Sequence, residues 1–201
     1  MCSDKILNPK KCVRRISMCK AAVKEIRGKY YNISNVHEAA KLILNDYSED
    51  SITPIVKIIN DAGFKIYLQE LPRNIGGYIV LSDEIKDKFG TDKIIVLNNS
   101  NNTKRRRFTL AHEFGHFLID PNARNVIEYY NAFEDDNSED ENERIISRFA
   151  AELLMPKGDF IRKRNEIEKD IDDFYEVVQK LSEYFQVPTK AIKKRFEEVA
   201  E

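Results

Sequence analysis

Cysteine is scarce in this chain and tryptophan is missing: 3 Cys and no Trp stand among 201 residues. The thiols, Cys2, Cys12 and Cys19, all lie in the first tenth of the chain, with no matching Cys or His pair elsewhere. That excludes a disulfide framework and a finger-type zinc site. Cys12, Ile16, Cys19, Val23 and Ile26 step by 4, 3, 4 and 3, so the last two thiols are expected on the apolar stripe of a helix. An excess of charge is also missing, since Lys plus Arg number 33 against 34 Asp plus Glu, a formal net charge of −1. No global attraction for nucleic acid or an anionic membrane follows. No run approaches the ~20 apolar residues of a membrane span, and the basic start leads into no signal-peptide core. The expectation is a cytoplasmic protein with no membrane partner and no direct nucleic-acid partner. Nothing in the sequence sets an oligomeric state.

What is present is ordinary globular material, with 7 Gly, 6 Pro and 42% hydrophobic residues. A chain of this length can bury a core without help from disulfides or metal, so a metal here would serve chemistry rather than folding. Charge is uneven: residues 1–29 hold nine basic and two acidic side chains, and Glu134 to Glu143 holds seven acids in ten positions. The organisation expected is a basic amphipathic helix over 1–30, a core over 31–160 and a helical segment packed on it over 161–201.

Periodicity and punctuation give an order of elements. A linker at Tyr30 to Ser34 precedes a helix capped by Ser34 or Asn35 and running through Leu44. A short helix spans Pro54 to Ala62, stopped by Gly63. Strand-like runs follow at Phe64 to Leu68, Tyr78 to Leu81 and Lys93 to Asn98. A helix from Arg107 to Ile119 leads into an irregular connection over Asn122 to Asn142, with a helical turn at Val126 to Tyr130. Helices at Glu143 to Met155, Lys157 to Glu166, Asp170 to Tyr184 and Pro188 to Val199 complete the chain. Helices, a small mainly antiparallel sheet and then helices make an α+β fold.

The chemistry concentrates at His112-Glu113-Phe114-Gly115-His116. On a helix, positions i and i+4 stand on one face, so two imidazoles can reach one metal ion, while Glu113, turned by about 100°, can hold a water beside it. With 3 His and 19 Glu in the chain, the pattern arises by chance at roughly 0.4%. The plain alternative is two partly buried helix histidines. A catalytic zinc needs a third protein ligand and an open position. A further histidine in the same run would need Gly at Ile119 and His at Asn122, and both positions fail. The remaining histidine, His37, is isolated on an N-terminal helix, so a carboxylate between Asp120 and Glu152 is the expected donor. Glu143 opens the apolar face of its helix, followed by Ile146, Ala150 and Leu154, whereas Glu152 is turned by about 180° and is expected in solvent. A buried Glu143 would be costly unless paired or metal-bound.

The run Arg107-Phe108-Thr109-Leu110-Ala111-His112-Glu113-Phe114-Gly115-His116 is followed by Glu143-Arg144-Ile145-Ile146-Ser147-Arg148-Phe149-Ala150-Ala151-Glu152-Leu153-Leu154-Met155-Pro156. Together they resemble the ImmA/IrrE family of bacterial and phage zinc metallopeptidases, over roughly Phe64 to Pro156 and more loosely the tail. Matching to the family pattern also puts the third ligand at Glu143. It differs at Ser147, where the family usually has Asn; a hydroxyl offers fewer hydrogen bonds there than an amide. The resemblance implies a zincin-like fold and a zinc (Zn2+) endopeptidase. Such an enzyme makes limited cuts in a protein substrate, a transcriptional repressor or other regulator, often encoded beside it on a mobile element. His112, His116 and Glu143 would hold zinc and Glu113 would act as general base. Tyr78, Tyr129 and Tyr130 are candidates for the oxyanion partner.

Other features carry weaker readings. Gly77 to Leu81 could be a substrate-binding sheet edge, though an ordinary strand is preferred. Lys104 to Arg107 reads as a solvated approach to the active-site helix, and the acidic Glu134 to Glu141 run as a solvated loop. Leu181 to Phe196 has a helix-turn-helix rhythm. Two alternatives to the enzyme stand: a non-proteolytic metal-containing regulatory binding module, and a DNA-binding regulator using the C-terminal helices. Glu113 would be dispensable in the first.

Overall fold

The computed structural model describes residues 19–27, 35–47, 52–119, 127–130 and 141–200. Cys2, Cys12, Ile16, the Tyr30 to Ser34 linker and most of the acidic run lie outside the described residues. Helix α1 is described over 19–26, and Cys19, Val23 and Ile26 are all buried. The Cys19 thiol donates to the carbonyl of Ile58 at 3.7 Å. The thiol on the apolar stripe is therefore a packing group.

Helices α2 (Val36–Leu44) and α3 (Ile55–Asp61) follow, and then β1 (Lys65–Gln69), β2 (Ile75–Leu81), α4 (Lys86–Phe89) and β3 (Lys93–Asn98). Next come α5 (Thr103–Ile119), β4 (Ile127–Tyr130), α6 (Glu141–Leu154), α7 (Lys157–Ile167), α8 (Phe174–Phe185) and α9 (Thr189–Ala200). The fold is α+β. The sheet has four strands in the order β1-β3-β2-β4; β2 pairs antiparallel with β3 and β4, and β1 pairs parallel with β3.

One expectation is corrected, and one minor alternative falls away. Where a helical turn is expected at Val126 to Tyr130, Ile127–Tyr130 form the strand β4, because their backbone is claimed by the open side of β2; pairing partners decide a short run whose own periodicity is weak. Gly77 to Leu81 is not a sheet edge, since β2 is bonded on both sides and the edges are β1 and β4. Gly77 is needed there for closeness, as a Cβ would lie 2.6 Å from the Val96 carbonyl oxygen and 3.0 Å from Thr109 Cγ2.

Alternation along β2 and β3 separates two faces. Ile79, Ile95 and Leu97 join the main core with α5, whereas Val80, Ile94 and Val96 form a smaller cluster with Tyr78 and Phe89 on the other face. Behind α5 lies α6, and behind α6 lies α2. The core is continuous from Cys19 to Ile192, so the C-terminal helices share it. Phe114, Phe149 and Phe160 are fully buried within it, each contributing about 1.5–3 kcal/mol from burial.

Candidate metal and peptidase site

Helix α5 lies between the sheet and α6, so almost its whole C-terminal half is inaccessible: every residue from Leu110 to Ile119 is buried. His112 and His116 are 3% and 1% exposed. One helical turn apart, they bring their Nε2 atoms to 3.1 Å from each other. Gly115, between them in the motif, lets α6 come close, because a Cβ there would meet Ile146 Cγ2 at 3.0 Å and Phe149 Cδ1 at 3.1 Å. That approach carries Glu143, in the first turn of α6, over the imidazoles. Its carboxylate oxygens lie 3.2 Å from His112 Nε2 and 3.4 Å from His116 Nε2.

The structure thus brings together His112, His116 and Glu143, with one ligand atom from each and all three within 4.8 Å of one another. Electron-rich atoms converging at this range repel unless a proton or a cation lies among them. Burial and the neighbouring His112 push the His116 imidazole far down, into its neutral form, which is the form that ligates a metal. Two imidazole nitrogens and a carboxylate, with no fourth donor grouped with them among the described residues, suit a divalent cation with an open position. The Glu143 side chain is 27% exposed and marks the side from which solvent reaches the cluster.

Glu113 is 1% exposed, and burial first, with the Glu143 charge second, raises its carboxyl well above the usual range. Its Oε2 has no hydrogen-bond partner among the described residues. A buried carboxylate oxygen without a donor costs stability and is kept where something from outside completes it. Ser147 takes the Asn position of the resemblance, and its Oγ lies 3.4 Å from His112 Nδ1. The hydroxyl occupies the rear nitrogen of the ring and leaves Nε2 facing Glu143.

Residues 63–197, about two thirds of the chain, match the peptidase M78 family, described as the IrrE N-terminal-like domain. The chain belongs to this IrrE-like peptidase family. No curated protein matches it. The IrrE-like match begins just before β1 and takes in α5, α6 and nearly all of α9, so both motif blocks lie inside it. No described helix is long and apolar enough to cross a membrane.

Of the oxyanion candidates in this IrrE-like chain, Tyr78 is on the sheet face away from α5, where it packs with the smaller cluster and its hydroxyl lies 3.4 Å from Gln69 Oε1. Tyr129 and Tyr130 are on β4, opposite Gly77 and Ile75. The cations before the HExxH motif are not simply solvated. Arg107 donates to the Thr53 carbonyl, and the Lys104 ammonium lies 2.9 Å from Ser182 Oγ, which ties α5 to the rest of the chain.

Sequence reasoning missed a second polar centre. Glu152 is 5% exposed, not in solvent. The Glu152 Oε1 atom accepts from His37 Nδ1 at 2.8 Å and from the Lys157 backbone N–H at 3.1 Å, while Oε2 accepts from Arg195. Arg195, 3% exposed, also donates to the Met155 carbonyl and to Glu198. Glu152 is buried despite its 180° turn from Glu143 because α6 is covered on both sides, by α5 on one and by α2 and α9 on the other. His37, expected to be isolated, is the α2 end of this network. The one available signal was the apolar setting of Glu152 between Ala151 and Leu153, which marks a carboxylate that must be paired if buried.

Proposed function

We propose that the chain is a zinc-dependent endopeptidase that makes limited cuts in a regulatory protein such as a transcriptional repressor. The observation that carries the reading is the convergence of His112, His116 and Glu143 beside a buried Glu113 whose Oε2 lacks a donor. Membership of a peptidase family supports it, and the resemblance of the two motif blocks supports the regulatory substrate. His112, His116 and Glu143 would hold the zinc, which would supply Lewis acidity, acidifying a water and polarising the scissile carbonyl. Glu113 takes the water proton at Oε2 as the water oxygen attacks the carbonyl carbon. It then returns that proton to the amide nitrogen as the C–N bond breaks. The raised proton affinity of the buried Glu113 carboxyl suits it to both transfers. Ser147 holds His112 in the orientation that presents Nε2.

The test is metal content per chain together with cleavage. Purified without added metal, the wild type is expected to hold one equivalent of zinc and Glu143→Ala little. Glu113→Gln is expected to keep the zinc and lose about 10²–10⁴-fold in cleavage rate. Zinc retained by Glu143→Ala would move the third ligand elsewhere. A Glu113→Gln protein with undiminished regulatory function would favour the non-proteolytic binding module.

A further inference from the structure

A concave site lies on the side of α6 turned away from the histidines. It is a cavity of about 360 Å³ between α2 and the corner where α6 meets α7, closed beneath by Phe185 of α8. None of His112, His116 and Glu143 lines it. Its volume falls in the ~300–1,000 Å³ range of small-molecule sites. The walls are mixed: Leu44, Ile52, Leu154, Pro156 and Phe185 supply apolar surface, and His37, Lys41, Glu152 and Asp159 supply the ionisable groups.

The state of those four groups decides what the cavity can take. Glu152 is committed to His37, Lys157 and Arg195, and the Arg195 charge directly behind it offsets its own. Asp159 is committed to Arg162 at 2.8 Å. His37 donates through Nδ1 to Glu152, so the Nε2 of the neutral ring is an acceptor and takes no anion. Lys41 makes no ion pair or hydrogen bond among the described residues. It stands one helical turn from His37, on the same face of α2, because i and i+4 are stacked. The cavity therefore presents one uncommitted cation and an anchored imidazole beside an apolar wall, with both its carboxylates already balanced.

We infer that this cavity is a binding site for a small organic carboxylate with an apolar body, the carboxylate on Lys41 and the body against Leu44, Ile52, Leu154, Pro156 and Phe185. An amine is disfavoured, since each of the two carboxylates in the wall already has an arginine partner. A fully apolar ligand would leave Lys41 to be desolvated without a partner. The site is separate from the proposed peptidase centre, and it stands or falls without it: Glu143 faces α5, whereas Glu152 faces α2 on the opposite side of the same helix.

The experiment is titration of the full chain with phenylacetate, phenylacetamide and phenethylamine, followed by nuclear magnetic resonance of backbone amides. Phenylacetate is expected to bind at least tenfold tighter than the isosteric amide, with shifts confined to 37–53, 152–159 and 185. Lys41→Met, a change at an exposed and unpaired side chain, should bring acid and amide to equal affinity. Asn45→Trp at the cavity rim should block both. The inference is overturned if acid and amide bind alike to the wild type, if none binds, if the amine binds tightest, or if Asn45→Trp leaves phenylacetate binding intact. Unchanged amide spectra of Lys41→Met and Asn45→Trp outside the cavity guard against misreading a folding defect as lost binding.

Discussion

Two buried carboxylates on neighbouring helices, Glu113 of α5 and Glu152 of α6, make opposite use of their burial. Burial would raise the proton affinity of both, and at Glu113 it does, with the Glu143 charge adding to it. At Glu152 the same desolvation is outweighed by the Arg195 charge and by hydrogen bonds from Arg195, Lys157 and His37, and its carboxyl lies below the usual range. The difference lies in completeness. The Glu152 carboxylate has every partner within the chain and acts as a fastener between α2, α6 and α9. Around Glu113 the polar groups converge with one oxygen unsatisfied and two imidazole nitrogens facing a carboxylate, an arrangement completed only from outside. A buried polar group closed within the fold specifies structure, and one left open marks a place for chemistry.

The sharpest way to break this comparison is to open the closed centre. Arg195→Met leaves a buried carboxylate without its cation and is expected to cost about 3–5 kcal/mol in urea unfolding, whereas Glu152→Leu combined with Arg195→Met should recover most of it. A loss below about 1 kcal/mol for Arg195→Met would mean that the network fastens nothing. The complementary experiment closes the open centre: zinc at a thousand times its dissociation constant should stabilise the wild type by about 4.1 kcal/mol. Thermal unfolding with and without zinc checks this, and Glu143→Ala should show no zinc-dependent shift.

A finer effect is expected from the hydroxyl behind His112. Ser147→Ala should lower zinc affinity by about tenfold and Ser147→Asn should preserve it, read by competition with a chromogenic chelator. Equal affinity in all three proteins would remove Ser147 from the site. The smallest effect is on pH dependence. Because the folded state lowers the Glu152 proton affinity, its contribution is fully present above the unfolded carboxyl value of about 4.3 and is lost as pH falls through the lower folded value. Wild type should therefore lose stability more steeply than Glu152→Gln between about pH 5 and pH 3, as urea midpoints across that range will show.

The candidate site was more legible in the sequence than the surroundings that hold it. His112 and His116 share a face by helical period alone, and Glu143 was pointed inward by the spacing of Ile146, Ala150 and Leu154; both are arguments within single helices. Ser147 was flagged through its departure from the family pattern, but its contact with His112 required knowing how α5 and α6 meet. Glu152 was misplaced by the same geometry that placed Glu143, because periodicity ranks the faces of a helix and is blind to a helix covered on two. The side-chain partners of Glu152, His37 and Arg195, lie 115 residues before it and 43 after it, beyond the reach of any local pattern.

The sequence by itself determined the order of the longer helices, the α+β class, the HExxH face and the carboxylate that meets it, since these follow from turn chemistry and a repeat of 3.6 residues acting over one or two turns; the short α4 between β2 and β3 was not read from it. Tertiary structure alone decided that β4 is a strand, that β2 is interior and that Glu152, Arg195 and His37 form one buried network. It also set the cavity beside Lys41. Strand pairing, two-sided burial and concavity arise from contacts between segments far apart in the chain, whose free energy no local pattern contains.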